Sequence, residues 1–353
     1  MVNRPEPPCG APVETAAGAY RRARLFLAAA QTANGLTRSA GEKPLCPAAQ
    51  NGVSPPEPRG IDGAGESPLP PDSRAADGAR LSLEARELVC AAAGLSRNEF
   101  YLRPGAPVDS ARLNALLTRR AAGEPLAYLL GEWDFYGYPF KTDARALIPR
   151  DDSAAPLELF LSLLPAAPPS GGLLLLDLCT GSGCLGIAAV RELAGRGVCA
   201  RAVLADNSEA ALALARENIA RHGLTGSVRA AYADVFALDR FEAGGASPAG
   251  FDGCICNPPY IESAAVAGLD RDVTAFEPLS ALDGGRDGLD FYRAAAAGLP
   301  RLLRQGGIVT FEVGFAQAGP VAALLAAAGY ADIRTAVDLQ GVVRAVAASV
   351  RGE

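Results

Sequence analysis

The chain has 353 residues, with 33 Lys+Arg against 39 Asp+Glu, a net charge of −6, 49% hydrophobic and 20% charged residues. That length predicts about two domains and the apolar share allows a sizeable core, while the acidic balance disfavours stable nucleic-acid binding. No uninterrupted apolar run reaches the ~20 residues of a membrane span, and the opening MVNRPEPPCGAPVETAAG lacks the apolar stretch of a signal peptide, so a cytoplasmic protein without membrane contact is expected.

Residues 1–77 carry twelve of the 27 prolines and few large apolar side chains. They read as a low-complexity, largely flexible region, with a solvated insertion over 35–78. One short helix is predicted in ETAAGAYRRARLFLAAAQTAN, with Tyr20, Leu25, Phe26 and Ala29 near one face. A helical domain follows over 78–130: LSLEARELVCAAAG ends at Gly94, Ser96 can cap the next segment, and VDSARLNALLTRRAAG starts at Asp109 or Ser110 and stops at Gly123. GEWDFYGYPFKTDARALIP predicts a hairpin turning near Tyr136–Pro139, with Trp133 and Tyr136 as its core, inside a hairpin-and-linker stretch 131–155.

From 156 onwards strands and helices alternate. LLLLDL (173–178) is a continuous apolar run, as a strand buried on both faces requires. Further strands are expected at 201–206, 227–234, 251–257 and 307–313, helices in CLGIAAVRELAG, SEAALALARENIARHG (capped by Ser208), 288–304 and 316–328, and a final antiparallel strand in VVRAVAASV. This is an α/β pattern, a mostly parallel, doubly wound sheet with ligands at the carboxyl ends of its strands.

Asp177-Leu178-Cys179-Thr180-Gly181-Ser182-Gly183 stands where the first of these strands passes into its helix. Glycines there let backbone N–H groups approach a ligand, and Asp206, ending the next strand, is placed to accept from a ribose diol. Gly181, Gly183 and Gly186 also satisfy G-x-G-x-x-G with an acid 20 residues beyond, a dinucleotide signature that fits a mere tight turn as well. Asp177 favours S-adenosylmethionine: its carboxylate would repel a pyrophosphate but suits a cationic ligand portion.

The second loop, Asn257-Pro258-Pro259-Tyr260, follows FDGCIC and so faces the same crevice. Its two prolines fix the backbone and leave rigidly aimed carbonyl acceptors; Asn257 adds another acceptor, and Tyr260 an aromatic face with a hydroxyl. Converging acceptors suit a substrate –NH2, whose lone pair they aim at a methyl donor. Such a loop has no place in hydride transfer.

The segments GLSRNEFYL, RRAAGEPLAYLLGEWDFYGYPFKTDARALIPR, DLCTGSGCLGIA, ENIARHG, NPPYIE, FEPLSALDGGRDGLDFYR, FEVGFAQ and DLQGVVRAV together resemble the HemK/PrmC family, the peptide chain release factor glutamine N5-methyltransferases, from about Arg80 to Val350. The resemblance implies a Rossmann-like class I S-adenosylmethionine methyltransferase, with a mostly parallel seven-stranded sheet (156–353) and a small N-terminal helical domain that recognises the protein substrate. It implies that Cys179, Thr180, Gly181, Ser182 and Gly183 line the cofactor pocket, with Asp206 on the ribose, Asp177, Asp234 and Val235 (or Phe236 against the adenine) beside it, and Asn257 touching cofactor and substrate. Asn257, Pro258, Pro259 and Tyr260 would hold the glutamine amide of the Gly-Gly-Gln motif of a class I release factor.

The chain departs from the family where Ile148-Pro149-Arg150 runs into Asp151-Asp152-Ser153-Ala154. The family has Pro-[DE]-Thr-Glu there; because this segment is expected to join the two domains beside the active site, altered activity or domain closure is expected. The rival readings are an amino-methyltransferase of another substrate, a ribosomal-protein glutamine or nucleic-acid adenine, and a degenerate, non-catalytic relative.

The eight cysteines show no C-x-x-C spacing, so they read as reduced, mostly buried thiols, and no metal is expected. His222, the only histidine, reads as a helix C-cap, which argues against a histidine-dependent triad. Glu312 fits active-site support and structural hydrogen bonding equally. Arg112, Arg119 and Arg120 read as a solvated face.

Overall fold

A computed structural model of the protein describes residues 13–33, 73–165, 171–241 and 250–351, so most of the insertion expected over 35–78 lies outside the described residues. These residues fall into two compact units divided between Leu130 and Gly131. The first is helical: α1 (Ala16–Ala33), α2 (Ser73–Ala93), α3 (Arg97–Leu102), α4 (Ser110–Ala121) and α5 (Leu126–Leu130). The second begins with a hairpin, β1 (Glu132–Phe135) and β2 (Tyr138–Lys141), then α6 (Ala154–Leu163). It continues β3 (Leu173–Leu178), α7 (Cys184–Gly195), β4 (Ala200–Asp206), α8 (Glu209–Arg221), β5 (Val228–Tyr232) and β6 (Phe251–Cys256). After α9 (Ser263–Val266), α10 (Arg271–Phe276) and α11 (Asp290–Gly298) come β7 (Leu303–Glu312), α12 (Ala318–Ala327), β8 (Ala331–Val337) and β9 (Val343–Ser349).

In the helical unit α1 turns a stripe of small residues inward. Ala16, Ala19, Ala23 and Leu27 are buried with Leu88 and Val89 of α2 and Leu113 and Leu117 of α4. Leu25 and Phe26, expected near the inner face, are exposed at 73% and 42%. Alanines at helical spacing let the helices approach more closely than a leucine–phenylalanine face would. α2 begins at Ser73, seven residues before the periodicity announces it. α3 is opened by a full capping box, Ser96 with Glu99, and α4 by Asp109, whose side chain accepts from the Arg112 N–H. The basic face of α4 is largely neutralised, since Arg120 pairs with Glu84 at 2.8 Å and Arg119 with Glu124 at 2.5 Å.

The hairpin turns at Tyr136-Gly137, both at positive φ (52° and 78°), the two-residue turn that matches strand twist. Its core is Phe135 and Phe140, buried with Leu157 and Phe160 of α6; Tyr136 is half-buried and packs against this core, whereas Trp133 is half-buried outside it, correcting the expectation for Trp133. His222 is the C-cap residue of α8, with its Nε2 3.1 Å from the Pro139 carbonyl.

The sheet has seven strands in the order β5-β4-β3-β6-β7-β9-β8. β5, β4, β3, β6 and β7 run parallel and β9 lies antiparallel between β7 and β8. β8 was not located by its sequence, because ADIRTAV is polar and mostly exposed. Alternate residues of β3 feed opposite cores: Leu174, Leu176 and Leu178 join one cluster, Leu173 and Leu175 the other. Both faces are therefore covered, as the unbroken apolar run demands. Strand order reverses beside β3, between β4 on one side and β6 on the other, which opens a crevice at the carboxyl ends of all three.

Asp151–Ser153 form a short 3₁₀ turn leading into α6. They belong to the second unit. Among the described cysteines Cys90, Cys254 and Cys256 are buried, Cys179 and Cys184 half-buried and Cys199 exposed. No helix among the described residues is long and apolar enough to cross a membrane.

Candidate active site

A cavity open to solvent occupies the crevice. Cys179, Thr180, Gly181 and Ser182 from the first loop line it, as do Asp206 at the end of β4, Val235, and Asn257 and Pro259 from the second loop. The sequence singled out all of these, and the fold brings them to one place.

The first loop is shaped by close backbone approach. Gly183 takes φ 85° at the entry to α7. One turn on, a side chain at Gly186 would put its Cβ 2.9 Å from the Cβ of Asp177, so only glycine lets the helix lie this close to β3. Two carboxylates then hold the loop. Asp206 accepts from the Gly181 N–H and the Ser208 N–H, each at 2.9 Å. Each of its oxygens keeps further acceptor capacity beside the cavity, which is what a diol needs. Burial raises the Asp206 pKa, opposed by these backbone donors.

Asp177 behaves otherwise than expected. Its Oδ2 accepts from the Thr180 hydroxyl at 2.5 Å and the Gly186 N–H at 2.8 Å, and it does not line the cavity. Its Oδ1 is buried without a hydrogen-bond partner, and burial pushes the carboxyl up to about 7. The group braces the loop from behind, where the sequence reading had it meet a cationic ligand directly. Gly183 and Asp234 also stand behind the lining; Asp234 caps the 3₁₀ turn at Val235 by accepting from the Phe236 N–H at 2.9 Å. Phe236 packs edge-on against Phe291, whose ring lines the cavity.

In the second loop Asn257 and Pro259 face the cavity, while Pro258 and Tyr260 do not line it. The Tyr260 carbonyl accepts from Gln317 Nε2 at 2.9 Å, and the same amide reaches the Gly288 carbonyl at 3.3 Å. Tyr260 Oη lies 3.5 Å from Glu312 Oε1, and burial raises its pKa above the usual tyrosine range. Glu312 Oε2 accepts from Ser153 Oγ at 2.5 Å, and burial pushes this carboxyl up to about 7 as well.

Two wall segments escaped the sequence reading. Arg145–Arg150 line one side and Pro278, Ser280 and Ala281 another. Buried Glu277 ties them together, accepting from the Ile148 N–H at 3.1 Å and from Arg150 at 2.5 Å. Both segments sit inside stretches that carry the family resemblance, but no local chemistry in them announced a wall. Ser153 stood out only as part of an altered motif; it lines the cavity, and its neighbour Asp152 pairs with Arg344 at 2.9 Å.

The family model for the PrmC N-terminal domain matches residues 74–131, and that for the methyltransferase small domain matches residues 152–271. The release factor glutamine methyltransferase of Geobacter sulfurreducens is 37% identical over 267 residues, covering 75% of this chain and 88% of that one. That of Gloeobacter violaceus is 38% identical over 265 residues, covering 73% and 87%. A solved protein-(glutamine-N5) methyltransferase (release factor-specific) from Alicyclobacillus acidocaldarius is 23% identical, with a TM-score of 0.34 over 60% of this chain and 100% of that one. On the strength of the sequence relatives, which align over most of their length and most of its own, the chain belongs to the release factor glutamine methyltransferase family.

Proposed function

We propose that the protein methylates the side-chain amide nitrogen (N5) of the glutamine in the Gly-Gly-Gln motif of class I peptide chain release factors, using S-adenosylmethionine. The observation that carries this reading is the opening of both loops onto one cavity, which Asp206 and Asn257 both line. The cofactor, when bound, supplies an electrophilic methyl on a sulfonium. The residues present fit it: a carboxylate with acceptor capacity for a diol, a glycine loop for close backbone approach, and the Phe291–Phe236 pair and Val235 as apolar wall.

An amide nitrogen is a poor nucleophile, because its lone pair is delocalised into the carbonyl. Acceleration must come from holding it in line and from acceptors that favour positive charge developing on nitrogen. Asn257, which lines the cavity with Pro259, is assigned that grip; Pro258, expected to share it, stands behind the lining and with Tyr260 fixes the loop. No histidine triad or strong base is required before the charged nitrogen sheds its proton. A cytoplasmic site of action follows from a substrate that works in translation.

Mass spectrometry of a purified class I release factor, incubated with the protein and S-adenosylmethionine, tests the proposal. One added methyl on the Gly-Gly-Gln glutamine is expected. An unmodified release factor, with cofactor binding intact, would favour another amide substrate or a non-catalytic relative, the reading prompted by Asp151–Ala154.

A further inference from the structure

A buried carboxylate backs the second loop, and the transfer step as derived leaves it unused. Glu312 ends β7 only 2% exposed. Its Oε2 accepts the Ser153 hydroxyl at 2.5 Å and its Oε1 faces Tyr260 Oη at 3.5 Å. Ser153 Oγ in turn lies 3.5 Å from Asn257 Nδ2. Ser153 and Asn257 line the cavity; Glu312 does not.

A serine hydroxyl has one proton to donate. Committed to Glu312, that proton leaves Ser153 only lone pairs for Asn257 and the cavity. Asn257 then spends an Nδ2 proton on Ser153, which leaves its Oδ1 as the acceptor for a ligand. Hydrogen-bond polarity thus passes from Glu312 through Ser153 to Asn257. We infer that Ser153 and Glu312 are positioning residues that hold this end of the cavity as an acceptor surface, and so make it select the –CONH2 of a glutamine side chain over the –COO⁻ of a glutamate. The inference rests on the proposed glutamine substrate and adds to it the source of amide selectivity. An acceptor array facing a carboxylate leaves both sides without donors, and sites built on such buried polar complementarity discriminate strongly.

Charged and titratable groups around Glu312 are few. Asp152 raises its carboxyl further, whereas Arg344 and the Ser153 and Tyr260 hydroxyls stabilise the ionised form. With burial setting the pKa at about 7, Glu312 is ionised at pH 8, where the test belongs.

Glu312→Gln is the informative change. It keeps the shape of the side chain, yet its Nε2 can donate to Ser153 Oγ, freeing the serine proton for Asn257 Oδ1 and turning the Asn257 amide end for end. Binding of a class I release factor carrying Gly-Gly-Gln, and of the same factor carrying Gly-Gly-Glu, is measured at pH 8 by calorimetry on the full chain. The native protein should prefer the glutamine form at least tenfold. Glu312→Gln should cut that ratio at least tenfold, Ser153→Ala should cut it likewise, and Ser153→Thr, which keeps a hydroxyl, should preserve it. If Glu312→Gln fails to fold, the two Ser153 variants decide. A folded Glu312→Gln, or a Ser153→Ala, with the native ratio overturns the inference while leaving methylation of the release factor untouched. A native protein that neither methylates the glutamine form nor prefers it overturns both.

Discussion

The two loops that line the cavity are held by different means. The loop after β3 is braced from close by: Asp177 reaches Thr180 and Gly186 within its own turn, and Asp206 at the end of the adjacent strand receives the Gly181 N–H. The loop after β6 is braced from afar, by Ser153 104 residues away and by Gln317 and Glu312 57 and 52 residues away. Glycine supplies shape in the first, where backbone must come close; proline supplies it in the second, where carbonyls must stay aimed. The loop shaped by close backbone approach is anchored mainly by Asp177 and Asp206, whereas the acceptor-bearing loop draws its support from distant parts of the chain.

The largest effect should come from the second loop. Asn257→Ala removes a gripping group without touching the first loop, so kcat should fall about a thousandfold, as loss of a preorganised polar contact to the reacting centre does. Cofactor affinity should stay within about threefold if, as proposed, the first loop and Asp206 supply most of its hold. Single-turnover kinetics beside equilibrium binding of the cofactor measure both, and equal losses would mean that the two loops do not divide the work. Gly186→Val attacks the other side. Its Cβ would intrude on Asp177, so unfolding free energy should drop by about 3 kcal/mol, by overpacking and by disturbing a buried carboxylate. Chemical denaturation that leaves the midpoint unmoved would show that α7 can back away from β3 at little cost.

Gln317→Ala removes the amide that spans the Tyr260 and Gly288 carbonyls. A loss of about 1 kcal/mol in stability is expected from the hydrogen bonds alone. Turnover should suffer more than that, roughly tenfold, because a misplaced loop weakens in-line geometry. A variant with native kcat and reduced stability would confine Gln317 to a structural part.

The same contrast explains what the sequence made legible. Elements of β3, α7, β4 and β6 and the residues of both loops follow from an unbroken apolar run, a glycine spacing and a proline pair, all short-range signals. Ser153, Glu277 and Gln317 act on partners brought near only by the fold, and nothing beside them in the chain says which partner that is. The inner face of α1 was missed for another reason: hydrophobicity pointed to Leu25 and Phe26, whereas close helix packing chose the alanines. Asp177 was found, but its direction was not, since a carboxylate at a strand end can face the ligand or the loop with the same local sequence.

Asp177 also gives the comparison its smallest test. Its ordinary pKa of 3.8 is raised by burial to about 7 in the folded protein. Between those values the folded state keeps a proton that the unfolded chain has released, so stability is fullest below the lower value and declines as pH rises through the window, by at most about 1.4 kcal/mol per pH unit. Glu312 has the same sign, from 4.5 to about 7. The arginine-paired surface carboxylates Glu217 and Asp287, held at about 2, have the opposite sign, but theirs is exhausted below about pH 5, so within the range only His222 among the described residues, lowered by burial from 6.5, is set against the two buried carboxyls. Urea unfolding of the cofactor-free protein should therefore show lower stability at pH 8 than at pH 5. Asp177→Asn carries no proton to release, and its slope should be shallower by roughly 1 kcal/mol over that range, after discounting for relaxation around a buried charge. A native slope in the Asn variant would mean that Asp177 is ionised in the folded protein at both pH values, and that its unpartnered oxygen has found a donor.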